Sequence, residues 1–229
     1  DYIWISPFFE SPQKDFGYDV SNYRKVDKLF GTNEDFQKLL EVFHQKNIKV
    51  ITDLVLSHTS DEHEWFKNSK KQDANKYSDW YVWTDGNPNT PPNNWLSVFG
   101  GSSWKWHDER NQFYLHNFLT SQPDLNFHNE EVQQQMLDEI EYWLKFGVDG
   151  FRFDVINFLY HDSALRDNPA KDPKLVRPLG FNKNNPYGLQ IHKYDNTQPE
   201  TLEYLSRIRK VLDKYDAISV GEIVSENPL

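Results

Sequence analysis

Apolar positions follow two alternating rhythms along this chain. Runs of consecutive apolar residues at 2–6, 49–56, 148–155 and 217–222 read as strands. Between them, apolar side chains recur every three or four residues, the spacing of a half-buried helix. The first such stretch carries Phe36, Leu39, Leu40 and Phe43, and opens with Thr32 and Asp35 at the spacing of a capping box. The second, over 130–146, carries Val132, Met136, Ile140, Trp143 and Leu144 and ends at Gly147, a residue suited to the position just past a helix. The third carries Leu202, Leu205, Ile208, Val211 and Leu212. Near-continuous apolar strands alternating with amphipathic helices predict a parallel sheet covered by helices, α/β in class. The run Tyr2-Ile3-Trp4-Ile5 reads as a buried strand. Four strands are half of a closed eight-stranded barrel, and both ends of the chain read as cut.

Residues 60–125 break this rhythm. They hold most of the tryptophans and a Pro/Asn-rich stretch at 87–94, and they are far too long for a strand-to-helix loop. They are expected to form an inserted subdomain, with one part of the sheet in 1–59 and the other in 126–229. The polar, Pro-rich stretch 161–199 is expected to be irregular and suggests no function of its own.

Composition narrows the classes. Aromatic residues make up 16% of 229, enough to build a sizeable core and to argue against disorder. A formal charge of −10 repels phosphate backbones, so nucleic acid is not an expected partner. No apolar run approaches the roughly 18 residues of a membrane span. Without cysteine, disulfides, zinc thiolates and a cysteine nucleophile drop out; the compartment stays open, with a lean toward the cytoplasm. Nothing here fixes the oligomeric state.

Candidate chemistry lies where the strands end. In Gly150-Phe151-Arg152-Phe153-Asp154-Val155, alternation puts Phe151, Phe153 and Val155 on one face and Gly150, Arg152 and Asp154 on the other. The charged face would point into a barrel, where charge is costly unless paired or functional. Arg152 is placed to hold Asp154 ionised, as a nucleophile requires; a structural ion pair is the plainer reading. Glu222 ends the next strand. Neighbouring parallel strands lie about 4.8 Å apart, so Asp154 and Glu222 would face each other across one sugar, two carboxyls in opposite protonation states. His58 stands at the same edge, where a neutral imidazole can bond a hydroxyl. Asp53, earlier in its strand, reads as a buried structural partner. Asp15-Phe16-Gly17-Tyr18 offers a carboxylate for vicinal hydroxyls and a ring for a sugar face, or simply a glycine turn with a packed tyrosine.

Taken together and in this order, the motifs resemble glycoside hydrolase family 13, the α-amylase superfamily. Asp53-Leu54-Val55-Leu56-Ser57-His58-Thr59 is similar to its first signature, Gly150-Phe151-Arg152-Phe153-Asp154 to its second, Gly221-Glu222 to its third, and Gln122-Pro123-Asp124-Leu125-Asn126 to an additional one. The resemblance spans essentially the whole chain. It implies a (β/α)8 TIM barrel, of which this chain holds about strands 2 to 5, with a domain B inserted after strand 3. It implies Asp154 as nucleophile and Glu222 as general acid/base, with Arg152 orienting Asp154. Asp15, Tyr18 and His58 would then grip the terminal glucose, while Phe99, Phe118 and Gln122 wall the pocket.

Asp15-Phe16-Gly17-Tyr18, Asn93-Asn94-Trp95 and Tyr114-Leu115-His116 resemble the exo-acting oligosaccharide α-glucosidases and oligo-1,6-glucosidases. The implied activity is retaining release of terminal α-linked glucose from short oligosaccharides. An isomerase or transglycosylase of the sucrose or trehalose type is the alternative. A non-catalytic, glucosidase-like transporter subunit fits less well, since Arg152, Asp154 and Glu222 are all present. No cofactor is implied for the chemistry. Ser57 stands where calcium-binding α-amylases carry Asn, and a Ca or Mg ion known in relatives would sit on the first barrel loop, upstream of Asp1. Val155, after the nucleophile position, accompanies α-1,6 linkages in similar enzymes. The third carboxylate of the family would lie beyond Leu229, so the isolated piece is expected to be inactive.

Overall fold

A computed structural model describes residues 1–172 and 185–225. Its centre is a four-stranded parallel sheet of β1 (Tyr2–Ile5), β4 (Lys49–Val55), β8 (Gly150–Asp154) and β9 (Ile218–Gly221), side by side in chain order. Each strand leads to the next through a helix: α1 (Asn33–Gln45), α3 (Glu130–Phe146) and α4 (Glu200–Asp213). The registers Ile5↔Thr52, Val55↔Asp154 and Phe153↔Gly221 bring the C-terminal ends of neighbouring strands to one edge.

Local sequence accounts for the helix ends. The Thr32 side chain accepts from the Asp35 N–H while Asp35 reaches back to the Thr32 N–H, so two otherwise unpaired donors are satisfied. α3 starts where the Asn129 side chain accepts from the Glu131 N–H and ends at Gly147. Its apolar stripe, Val132, Met136, Ile140, Trp143 and Leu144, is buried against the sheet with Phe8, Phe36, Phe151 and Phe153.

Two expectations are corrected. β1 is not buried in this part of the sheet: Tyr2 and Trp4 are exposed, Trp4 at 49%, with β4 the one strand beside it among the described residues. Strand 148–155 is shorter than its apolar run, since Val155 adopts φ 37°, ψ 48° and turns the chain into a 3₁₀ turn, Ile156–Phe158. A β-branched residue rarely adopts that left-handed conformation, so the backbone is strained next to Asp154. Within the expected irregular stretch 161–199, residues 173–184 lie outside the described residues.

Between β4 and α3 lies a second layer. It holds α2 (Glu64–Ser69) and an antiparallel sheet in which β7 (Gln112–Leu115) pairs with both β5 (Trp83–Thr84) and β6 (Trp104–His107). A two-stranded ribbon of β2 (Phe9–Glu10) and β3 (Asn22–Val26) precedes α1. The tryptophans of the second layer sort by depth. Trp80 packs into the main core, and Trp95 and Trp104 build a separate cluster with Val82, Phe113 and Leu115. Asn93, Asn94 and Trp95 clasp the segment after β8: Asn93 donates to the Leu165 carbonyl, and the Trp95 indole N–H to that of Arg166.

Gly150 is where the sheet tolerates no side chain. A Cβ there would stand 2.2 Å from the Ile218 carbonyl oxygen on β9. Gly150→Ala must push β9 away from β8. The expected loss is about 1–3 kcal/mol, read as a lower melting temperature of the full-length protein.

Candidate active site

The charged face of β8 meets the ends of β4 and β9 in one compact cluster. Arg152 Nη1 donates to Asp53 Oδ2 at 2.6 Å and to Asp154 Oδ1 at 2.9 Å, while Nη2 reaches Glu222 Oε2 at 2.8 Å. Register causes this, because Asp53, Arg152 and Val220 are lateral neighbours and Asp154 and Glu222 each follow at the top edge. The Glu222 N–H donates to the Phe153 carbonyl at 2.9 Å, fixing that residue beside Asp154. Trp4 lies under the guanidinium, 5.7 Å from ring centre to carbon.

Arg152 was expected to hold Asp154 ionised. The structure corrects this, because the guanidinium is shared by three carboxyls. Burial, then the charges of Asp53 and Glu222, push the Asp154 carboxyl upward against the pull of Arg152. Burial likewise raises Asp53 to about 6, opposed by Arg152. One cation faces three carboxyls, so its pull on Asp154 and Asp53 only partly offsets their burial. Asp154 keeps its 2.9 Å bond to Arg152.

Beside this cluster stands a second network. The Gln122 amide donates to Asp15 Oδ2 at 2.8 Å and reaches His58 Nε2 at 3.2 Å, while its oxygen accepts from the Leu119 N–H. A donor facing Nε2 puts the imidazole proton on Nδ1, 2.9 Å from Ser57 Oγ. Burial lowers His58 to about 4, so the ring is neutral around pH 7. Tyr18 is pushed up to about 12 by burial and then by the Asp53 and Asp154 charges, so it keeps its hydroxyl proton.

Asp15 and Tyr18 owe their places to Asp19. This fully buried residue accepts from the N–H groups of Lys14 and Asp15 and from the Ser11 hydroxyl. Gly17 completes the turn at φ 99°, where a Cβ would meet the Pro7 carbonyl at 3.0 Å.

The apolar wall is Phe118, packed on His58 at 5.1 Å and on Phe158 at 5.1 Å, in one cluster with Val98, Val155 and Tyr187. Phe99 lies further out, 53% exposed, its ring edge-on to Phe118 at 6.0 Å. Thus Asp15, Tyr18, His58, Phe118, Gln122, Arg152, Asp154 and Glu222 lie around one edge, with Phe99 at its rim. Sequence reasoning missed the Arg152–Glu222 contact, Trp4 under the guanidinium, Asp19 and Tyr187. Only Asp19, one residue past Tyr18, carried a local signal.

Asp124 sits behind His58, joined to it by a β-bridge. Its Oδ2 accepts from the backbone and side-chain nitrogens of Asn117, and burial raises its carboxyl to about 8. Among the described residues, no three carboxylate or imidazole side chains converge as a metal site.

Comparison with known proteins agrees with this geometry. Residues 1–228 match the alpha-amylase catalytic domain. A probable alpha-glucosidase of Rhizobium meliloti is 56% identical over 97% of this chain and 41% of its own length. An oligo-1,6-glucosidase of Heyndrickxia coagulans is 43% identical over 99% of this chain and 39% of its own. The crystal structure of an alpha-glucosyl transfer enzyme superposes with a TM-score of 0.96 at 57% identity, covering 99% of this chain and 43% of that one. The chain therefore spans about two fifths of the length of the curated relatives it matches. It belongs to the alpha-amylase catalytic domain family, as part of that family's (β/α)8 barrel with a domain inserted after the third strand.

Proposed function

We propose that the full-length protein is a retaining α-glucosidase that removes terminal glucose from short α-linked oligosaccharides. The observation that carries this reading is the meeting of Asp154 and Glu222 on one guanidinium, at 2.9 and 2.8 Å, at the ends of adjacent parallel strands. Retaining glycosidases hold their two carboxyls about 5–5.5 Å apart, inverting ones about 6.5–9.5 Å. Two carboxyls held on one guanidinium at the ends of adjacent strands suit the narrow arrangement.

In this reading an Asp154 oxygen attacks the anomeric carbon while the bond to the leaving oxygen breaks and Glu222 gives that oxygen its proton. Glu222 then takes a proton from water, which attacks the same carbon and frees Asp154. Arg152 balances the charge that moves between them. Asp15, His58 and Gln122 offer a carboxylate and two polar groups to the glucose hydroxyls, and Tyr18 and Phe118 offer rings to its apolar face.

Val155 borders the bond to be cleaved and is packed in the wall with Phe118 and Tyr187. Its bulk is expected to favour isomaltose over maltose in kcat/KM by about tenfold or more, in line with the 1–3 kcal/mol one apolar contact supplies. Rates of glucose release from both sugars test this, and a preference for maltose would remove Val155 as the determinant. If neither sugar is cleaved, the glucosidase reading fails. Likeness to the alpha-glucosyl transfer enzyme supports a second reading, in which a sugar replaces water. Transfer products outweighing free glucose would favour it.

A further inference from the structure

The backbone turn at Val155 leaves a gap in the sheet, and one side chain fills it. β8 and β9 pair as far as Phe153 and Gly221, and the ladder runs one step further through the Ile156 N–H to the Glu222 carbonyl at 3.0 Å. There the main chain of residues 156–158 curls away into the 3₁₀ turn, so β8 does not continue beside the segment after Glu222. Asn157, buried at the centre of that turn, takes the strand's place. Its Nδ2 donates to the Val224 carbonyl at 3.1 Å, and its Oδ1 accepts from the Val224 N–H at 3.2 Å. This reciprocal pair is the one two peptide groups make across a ladder, supplied here by a carboxamide. Nδ2 also donates to Thr197 Oγ1 at 3.0 Å, and the Asn157 carbonyl accepts from the Thr197 N–H at 2.7 Å. One residue thus ties together the turn that follows Asp154, the segment that follows Glu222, and the loop at 197.

We propose that Asn157 is a positioning residue that sets the aim of Glu222 relative to Asp154; this rests on the glucosidase reading. Glu222 is half exposed, and its carboxylate is held from one side by Arg152, with the Val155 N–H at 3.4 Å. Its backbone is held on its N-terminal side by the ladder and on its C-terminal side by the Asn157 clamp on Val224. Only a short carboxamide offers both donor and acceptor at this distance. Asp lacks the donor, and Ala lacks both groups.

The consequence is selective. In the first step a misaimed Glu222 fails to protonate the leaving oxygen, while attack by Asp154 is untouched; in the second it slows the attack of water equally for every substrate. A misplacement of about 1 Å can cost on the order of 10²-fold in such a step. The test uses the full-length protein and its Asn157→Ala, Asn157→Asp and Glu222→Gln variants. Each is assayed on isomaltose and maltose, whose leaving oxygens need a proton, and on α-glucosyl fluoride, whose fluoride departs without full protonation. Both Asn157 variants are expected to lose about 10²-fold in kcat/KM, which reports the step that expels the leaving group, on the disaccharides but less than about threefold on the fluoride, in the same direction as Glu222→Gln. An equal loss of kcat/KM on both substrate types would reduce Asn157 to a general structural role, and no loss would make the clamp idle; either overturns the proposal. Wild-type protein that cleaves none of these substrates would instead overturn the glucosidase reading, and the inference with it. If Asn157→Ala does not fold, Asn157→Asp, which keeps the shape and the acceptor, carries the comparison.

Discussion

Asp154→Asn in the full-length protein is expected to lower kcat by about 10³-fold or more, equivalent to roughly 4 kcal/mol of lost transition-state stabilisation. Asn keeps the shape of Asp154 and an oxygen for the Arg152 bond, but its amide is too weak a nucleophile to form a glycosyl ester. The fold should not suffer. Asp154 is buried beside Asp53 and Glu222, so removing its charge relieves repulsion that one guanidinium only partly offsets. A melting temperature equal to or above that of the wild type, together with the loss of turnover, is the expected pair of results. Activity surviving the substitution would mean that Asp154 is not the nucleophile, whatever its contacts.

The second large effect concerns stability and pH. Asp124 is buried behind His58, its Oδ1 has no hydrogen-bond partner, and burial raises its carboxyl to about 8. In the unfolded chain the same group titrates near 3.9. Between those values the native state binds a proton that the unfolded state has released, so stability falls as pH rises. The slope is about 1.4 kcal/mol per pH unit, and the loss reaches about 5 kcal/mol by pH 8, where it levels off. Other groups titrate over the same range, so the informative quantity is the difference from Asp124→Asn, which has no proton to lose. The wild type should lose stability relative to that variant steadily from pH 4 to 8 in denaturant unfolding of the full-length protein. A difference independent of pH would show that Asp124 is ionised in the native state.

Much of the fold was legible because it is local. Two-residue alternation in Gly150-Phe151-Arg152-Phe153-Asp154 separates the buried phenylalanines from the charged face, and the Thr32–Asp35 spacing gives a helix start that the structure reproduces. The bounds of α3 follow from its apolar stripe and from Gly147 at its end, while its cap at Asn129 emerges only in the structure. Candidate positions at strand ends were legible for the same reason, since a parallel sheet brings all those ends to one edge.

What was not legible depends on partners distant in the sequence. That Arg152 serves Glu222 as well as Asp154 follows from the register of β9 against β8, which no local pattern encodes. The clamp of Asn157 on Val224 depends on a left-handed turn at Val155, where a β-branched residue gives no warning of one. Charge balance was misread for a related reason: from sequence Arg152 had one neighbour, whereas in the fold it has three.

The central claim is that Asp154 and Glu222 act as a retaining pair on a terminal α-linked glucose. An NMR time course of isomaltose cleavage by the full-length protein tests it most directly, because the anomer released first reports the stereochemistry before mutarotation blurs it. α-Glucose is expected at the outset, from two successive inversions at the same carbon. Initial release of β-glucose would mean a single inversion by water, and would contradict the assignment of Asp154 as nucleophile.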